Sequence, residues 1–213
     1  MSRPGRSVVT DRAPGCAYDR QVGVHREIDQ NPPAFETAIE LLRAAPLRPE
    51  IVVAVMPAPQ RIAPHAIALS GEVTVRGEDL ATGRFILLHD PAGHDAWAGT
   101  FRCVTFARAD VEPEMAADPS LPTVGWSWLT DALDSRGAMH TAASGSVTVV
   151  TTETFGEMSD DAGDAQIEVR ASWTPDGDVG EHLTAWSELL CAIAGLPPLA
   201  PGVVPMVRPR SSR

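Results

Sequence analysis

Between Ile51 and Ala109 the chain passes through four strand-like stretches in succession, with no helical period among them. Ile51–Met56 is a short apolar run that ends at a proline-rich bend. Ile67, Leu69, Val73 and Val75 alternate along the second stretch, Arg84–His89 forms a third, and Phe101–Ala109 a fourth. Gly77 and Gly83 are expected to bracket one turn, and the loop His89–Gly99 to separate the last two strands. Short connections can join only antiparallel neighbours, because a parallel pair needs a crossover of a dozen residues or more. This run therefore commits the chain to a mainly antiparallel sheet and disfavours a doubly wound nucleotide fold.

Helical patterns flank the run. Asn31 reads as a cap with Pro32 as the first helical residue, and Phe35, Ala38, Ile39 and Leu42 form one stripe before Pro46 ends it. Pro113 and Pro119 are expected to break the chain before a second helix near 123–136, with Trp126, Leu129 and Leu133 inward, Trp128 and Ala132 alongside and Gly137 after its end. Strands follow near 145–154 and 165–173, the latter carrying Ile167, Val169, Ala171 and Trp173 on one face, joined by the acidic loop 157–164. A last helix starts at Asp178, where Asp-x-x-Glu to Glu181 has the pattern of a capping box, and runs through Leu183, Trp186, Leu190 and Ile193 to Gly195. The order α-β-β-β-β-α-β-β-α predicts a two-layer α+β domain: five to six mainly antiparallel strands with helices on one face.

That domain is expected to span 31–198. Residues 1–30 have no apolar period and read as a disordered segment, and 199–213 as a flexible tail rich in proline and arginine. Charge follows the same division. Residues 31–200 hold nine arginines against 24 acids, a net of −15. A nucleic-acid binder needs the opposite sign to displace counterions, and so does a protein docking on an anionic membrane. Neither nucleic acid nor membrane is expected as a partner. With no apolar run of membrane-spanning length and no apolar signal core near the N-terminus, the predicted location is cytoplasmic.

All 17 basic residues are arginine, a usage that a GC-rich genome produces. The consequence is chemical: no side chain can form an aldimine with pyridoxal phosphate or a Schiff base, and none can serve as a P-loop lysine. Cys16, Cys103 and Cys191 are odd in number and widely spaced, which fits neither a disulfide framework nor a zinc site. Cys103 and Cys191 are expected in the core. No cofactor motif and no metal-ligand spacing is present.

The densest polar cluster is His89-Asp90-Pro91-Ala92-Gly93-His94-Asp95-Ala96-Trp97. The two histidines and two aspartates His89, Asp90, His94 and Asp95 could bind a divalent metal or pair as His–Asp for acid–base work, and Arg102 follows closely. The same Asp-Pro-x-Gly stretch is also what a strand-to-strand turn looks like. Gly125-Trp126-Ser127 opens like a nucleophile elbow but has Leu129 in place of the second glycine, so a helix start that buries tryptophan is the better reading. Trp126, Trp173 and Trp186 are expected in the core, leaving Trp97 and Trp128 as candidates to line a groove or partner surface. Arg84, Arg102, Arg108 and Arg170 lie in strand patterns, where arginine faces solvent, pairs with an acid, or grips a carboxylate or phosphate. In so acidic a domain, internal pairing is the expected use.

Several segments together resemble an uncharacterised actinobacterial family: Pro57-Ala-Pro-Gln-Arg61, Leu80-Ala-Thr-Gly-Arg84, Leu88-His-Asp-Pro-Ala-Gly93, Pro113-Glu-Met-Ala-Ala-Asp-Pro119, Gly125-Trp-Ser-Trp-Leu129, Arg170-Ala-Ser-Trp-Thr-Pro175 and Ala185-Trp-Ser-Glu-Leu-Leu-Cys-Ala-Ile-Ala-Gly-Leu-Pro-Pro198. The resemblance covers roughly 32–200 and implies no activity or catalytic residue. It implies a gene neighbourhood with a ribonuclease-D-like exonuclease and haem-biosynthesis genes, which assigns no chemistry. The element order is also similar to the type III secretion chaperone-like architecture, with one extra strand. That similarity implies a small acidic protein, commonly dimeric, that binds other polypeptides. The expectation for function is a non-catalytic protein-binding or adaptor module, as a homodimer. The alternative is a small enzyme or ligand-binding protein that uses the His89–Asp95 loop.

Overall fold

The computed structural model describes residues 31–156 and 164–198. The expectations for 1–30, for Cys16, for 199–213 and for most of the acidic loop 157–164 lie outside the described residues. The chain runs through α1 (Pro33–Ala44), β1 (Ile51–Met56), β2 (His65–Val75), β3 (Glu78–His94) and a 3-10 turn (Asp95–Trp97). It continues through β4 (Gly99–Asp110), α2 (Pro113–Ala116), α3 (Leu121–Ser135), β5 (His140–Thr151), β6 (Ala165–Pro175) and α4 (Val179–Ile193). The expected order and the two-layer α+β architecture are both present, with a six-stranded sheet that is antiparallel throughout.

Spatial order departs from chain order at one place. The strands lie β1-β2-β3-β4-β6-β5, so the α2–α3 connection carries the chain past one strand position and β6 returns into the gap. β1 and β5 are consequently the two edges. α4 crosses the covered face of the sheet with α1 and α3 at its sides. Phe85, Leu87, Cys103, Val169, Trp173, Trp186 and Leu190 form the centre of the core beneath it.

Local chemistry accounts for most element ends. β2 and β3 are joined through Arg76 and Gly77, at φ +55° and +90°, the left-handed pair that a type I′ hairpin requires. α1 starts one residue later than expected. Pro33 takes the first helical position and the Pro32 carbonyl accepts from Phe35 N at 2.8 Å, so Asn31 does not cap the helix. Pro113 opens the one-turn helix α2 instead of only breaking the chain, for the same reason. At the start of α4 the Asp178 carboxylate accepts from Gly180 N at 2.7 Å, one residue before Glu181. α3 closes at Gly137, φ +65°, where Ala138 N bonds back to Leu133 O at 2.9 Å.

Two expectations about the hairpins need correction. Gly83 is not in a turn. It lies within β3 opposite Gly71, and the pair makes a shallow trough in the sheet where Trp186 and Leu190 of α4 come down. The stretch His89–Gly99 is not an open loop either. β3 continues to His94, and residues 90–93 are accommodated as an irregularity between the pairs His89↔Phe101 and His94↔Gly99. No helix among the described residues is long and apolar enough to cross a membrane.

Candidate functional site

The residues singled out between His89 and Asp95 separate in space. His89 is buried on the helix side of the sheet, with its ring between Phe35 at 5.9 Å and Phe101 at 4.1 Å. Its Nδ1 lies 3.0 Å from Thr100 O, and burial lowers its pKa below the ordinary histidine value. Asp90 accepts from Ala92 N at 3.0 Å, an Asx turn. His94 accepts from Ala96 N at 3.2 Å through Nδ1 and stacks on Trp97, while Asp95 is exposed in the 3-10 turn. Trp97 is half-buried, and its carbonyl accepts from Thr174 Oγ1. Among the described residues no group of three or more His, Cys, Asp or Glu side chains is placed to hold a metal ion. The geometry gives these side chains positions in a hairpin end rather than around a shared cavity.

Trp128 does border a cavity. A hollow of about 490 Å³ between α3 and the end of α4 is lined by Trp128, Asp131, Glu188, Cys191 and Leu196. Its wall is tied together by buried Arg48, which bonds Glu50 at 3.0 Å, Glu188 at 3.4 Å and Pro197 O at 3.1 Å. Arg136 also pairs with Glu188. Cys191 is a buried free thiol, and burial pushes its pKa up to about 12, so it is protonated and unreactive at neutral pH. Cys103 is likewise buried and free. Both cysteines are core residues, as expected.

The strand arginines behave unlike the expectation. Register places Arg84, Arg102, Arg108 and Arg170 all on the sheet face opposite the helices. Ser70, Arg84, Phe106, Arg170 and Ser146 form a single row across five strands. The adjacent row reads Ala68, Ile86, Val104, Ser172 and Ser144. From β3 to β5 these rows line a concavity of about 640 Å³, which the β2 residues Ser70 and Ala68 do not border. Of the four arginines only Arg170 makes an ion pair among the described residues, to Glu168 at 2.9 Å, and its guanidinium lies 4.9 Å from the centre of the Phe106 ring.

Arg102 sits at the edge of this hollow and is only 7% exposed. Its Nη1 donates to Ala142 O at 2.9 Å and Thr174 Oγ1 at 3.1 Å. Its Nη2 donates to Ser172 Oγ at 2.7 Å, Ser172 O at 3.2 Å and Ser144 Oγ at 3.4 Å. Every acceptor is neutral. Burial without a carboxylate pulls its pKa below the ordinary arginine value. The contrast with Arg48, equally buried but held by two carboxylates, marks Arg102 as a charge without a counterion among the described residues. Arg102 was singled out from sequence for its nearness to the histidines, yet its partners are the serines and threonine of β5 and β6. Nothing in strand periodicity alone pointed to Ser144, Ser146 or Ser172.

The sheet edges also differ. β1 is six apolar residues in unbroken register with β2, with Val52 43% and Val55 76% exposed. β5 is polar and interrupted near Ala142, which is in the left-handed region at φ +51°. An apolar edge without charge, proline or bulge lacks the sequence devices that keep strands from pairing with other chains.

No curated protein and no solved structure matches the chain. A family model described as "Protein of unknown function (DUF3000)" matches residues 31–204, and the chain belongs to that family.

Proposed function

We propose that the chain is a non-catalytic protein-binding module whose contact edge is β1, and that its first partner is a second copy of itself. The observation that supports this is the exposed, unguarded edge Ile51–Met56. Its outward backbone groups can continue the sheet into another strand, with Val52 and Val55 packing across the seam. Self-pairing suits this edge because two antiparallel copies of one strand meet on a two-fold axis. The net charge of −15 over residues 31–200 opposes self-association at long range, but β1 brings no charged side chain into the contact itself. The similarity of element order to type III secretion chaperones agrees with a polypeptide-binding role. The folding unit in this proposal is 31–198. It acts in the cytosol of an actinobacterium, in keeping with its free buried thiols and its use of arginine without lysine.

The expected result is a dimer by light scattering for the full chain. Val52→Lys with Val55→Lys shifts it to monomer at an unchanged thermal unfolding midpoint, extrapolated to low protein concentration. A photo-crosslinking residue at position 55 gives an adduct of twice the chain mass. Strictly monomeric wild-type protein at all concentrations, with no adduct from position 55, overturns the reading.

The alternative of a small ligand-binding protein has a separate observation in its favour, the uncompensated Arg102. Its support lies on the open sheet face, whereas His89 is packed among rings.

A further inference from the structure

We infer that the hollow on the open face of the sheet is a binding site for a small organic oxyanion, a carboxylate or phosphate monoester with an apolar body. The starting point is the inventory of protons around Arg102. Ser144 Oγ and Ser172 Oγ both accept from its Nη2, at 3.4 and 2.7 Å. A hydroxyl that accepts from a guanidinium has its own proton left to donate. Neither hydroxyl has another partner among the described residues, and both serines line the hollow. The buried charge thus reaches the hollow through two oriented O–H donors, which an anion's oxygens can accept.

Arg84 and Arg170 complete the arrangement. They are in the same row on either side of Phe106, two strand spacings apart, which puts their backbones about 10 Å from one another. Both are exposed and line the hollow, and Arg84 has no ion pair among the described residues. The lining holds these two arginines and no carboxylate, within a domain where acids outnumber arginines 24 to nine. Glu168 offsets the charge of Arg170 from outside the lining, so the positive excess comes from Arg84 and from buried Arg102, and over a concave surface it raises the local concentration of anions. Ile86, Val104 and Phe106 form the apolar floor between the charged groups. A volume of about 640 Å³ is that of a small-molecule site, and an apolar floor with a few convergent polar groups is how such sites combine affinity with orientation.

The roles divide by burial. Arg84 and Arg170 meet the anion directly and can form paired N–H···O bonds with it. Arg102 does not reach the ligand. It positions the two serines and holds the Ala142 carbonyl at the irregular part of β5, so its own replacement would also disturb the strand. The informative variants are therefore Arg84→Gln, at an exposed side chain, and Ser172→Ala, which removes one donor and little volume.

Titration calorimetry and two-dimensional amide NMR of the full chain, with phenyl phosphate, benzoate and inorganic phosphate as probes, test the site. Saturable binding of phenyl phosphate or benzoate with a Kd of about 1 mM or tighter is expected, with shifts concentrated on the lining residues of β3, β4, β5 and β6. Arg84→Gln or Ser172→Ala should weaken it by about tenfold, the scale of one hydrogen bond involving charge, while Arg61→Gln on the β1–β2 connection leaves it unchanged. Preference between phenyl phosphate and benzoate identifies which oxyanion the hollow takes, and inorganic phosphate alone should bind more weakly for lack of a body to rest on Phe106. Absence of saturable binding for all three probes overturns the inference. So does binding that neither variant at the hollow weakens. Dimerisation through β1 is measured independently, so the two ideas fail separately.

Discussion

Replacing Gly71 with valine should lower the stability of the domain by roughly 3 kcal/mol, with a fall in Tm on the order of 10 °C. A Cβ at Gly71 would lie 2.5 Å from Trp186 Cη2 and 3.1 Å from Leu190 Cδ1. Trp186 is fully buried, and the contact is with the far edge of a rigid ring, so neither side can yield without moving α4. Across the ladder at Gly83, a Cβ would lie 2.5 Å from Leu190 Cδ2 and 3.0 Å from Phe106 O. The two glycines together let α4 approach the sheet at its centre. Denaturant unfolding of Gly71→Ala, Trp186→Leu and the double variant checks the cause. Removing the indole ring should reduce the cost of the new methyl group, giving a favourable coupling between the sites. Strict additivity would show that the glycine serves something other than this approach.

Acid should destabilise the domain before its carboxylates titrate. His182 is fully buried in α4 and its Nδ1 accepts from Trp173 Nε1 at 3.0 Å, which leaves the ring neutral with its proton on Nε2. Burial lowers its pKa to about 4, His140 adds to the lowering, and the backbone of Asp176 with the Asp178 and Asp176 charges pulls less strongly the other way. In the unfolded chain the same imidazole takes a proton near pH 6.5. Stability from this group is therefore complete above about pH 6.5 and is lost as pH falls towards 4, because only the unfolded state then binds the proton. The loss by pH 4 should be roughly 3 kcal/mol, and the lowered pKa of His89 acts in the same direction. Urea unfolding across this pH range measures the slope. His182→Asn retains an acceptor for Trp173 but cannot titrate, so its stability should vary less with pH. An identical slope in that variant would place the effect elsewhere.

Much of the fold was legible because local signals agreed. The period-3.6 stripe Phe35, Ala38, Ile39 and Leu42, the alternation Ile167, Val169, Ala171 and Trp173, and the stripe Leu183, Trp186, Leu190 and Ile193 all face the core. Turn and cap chemistry at Gly77, Gly137 and Asp178 depends on a few neighbouring residues and acts where it stands in the chain. Signals with two physical meanings were the ones that misled. A glycine marks either a turn or a close approach, and at Gly83 the choice belonged to α4, more than a hundred residues further on. Asp-Pro-Ala-Gly marks either a loop or an irregular strand, and here pairing with β4 on both sides of residues 90–93 kept it in the sheet.

What the sequence determined by itself was the order of elements, the antiparallel character of the sheet, the inward faces and the exclusion of lysine chemistry. These follow from periodicity, breakers and composition, which are properties of short windows. Tertiary structure alone decided the insertion of β6 between β4 and β5, the edge position of β1, and the row that sets Arg84 and Arg170 about Phe106. Alternation assigns a strand residue to one of two faces, but only register between strands says what stands beside it. Arg102 and its serines are brought together from positions some forty and seventy residues apart, and no window of sequence contains them all.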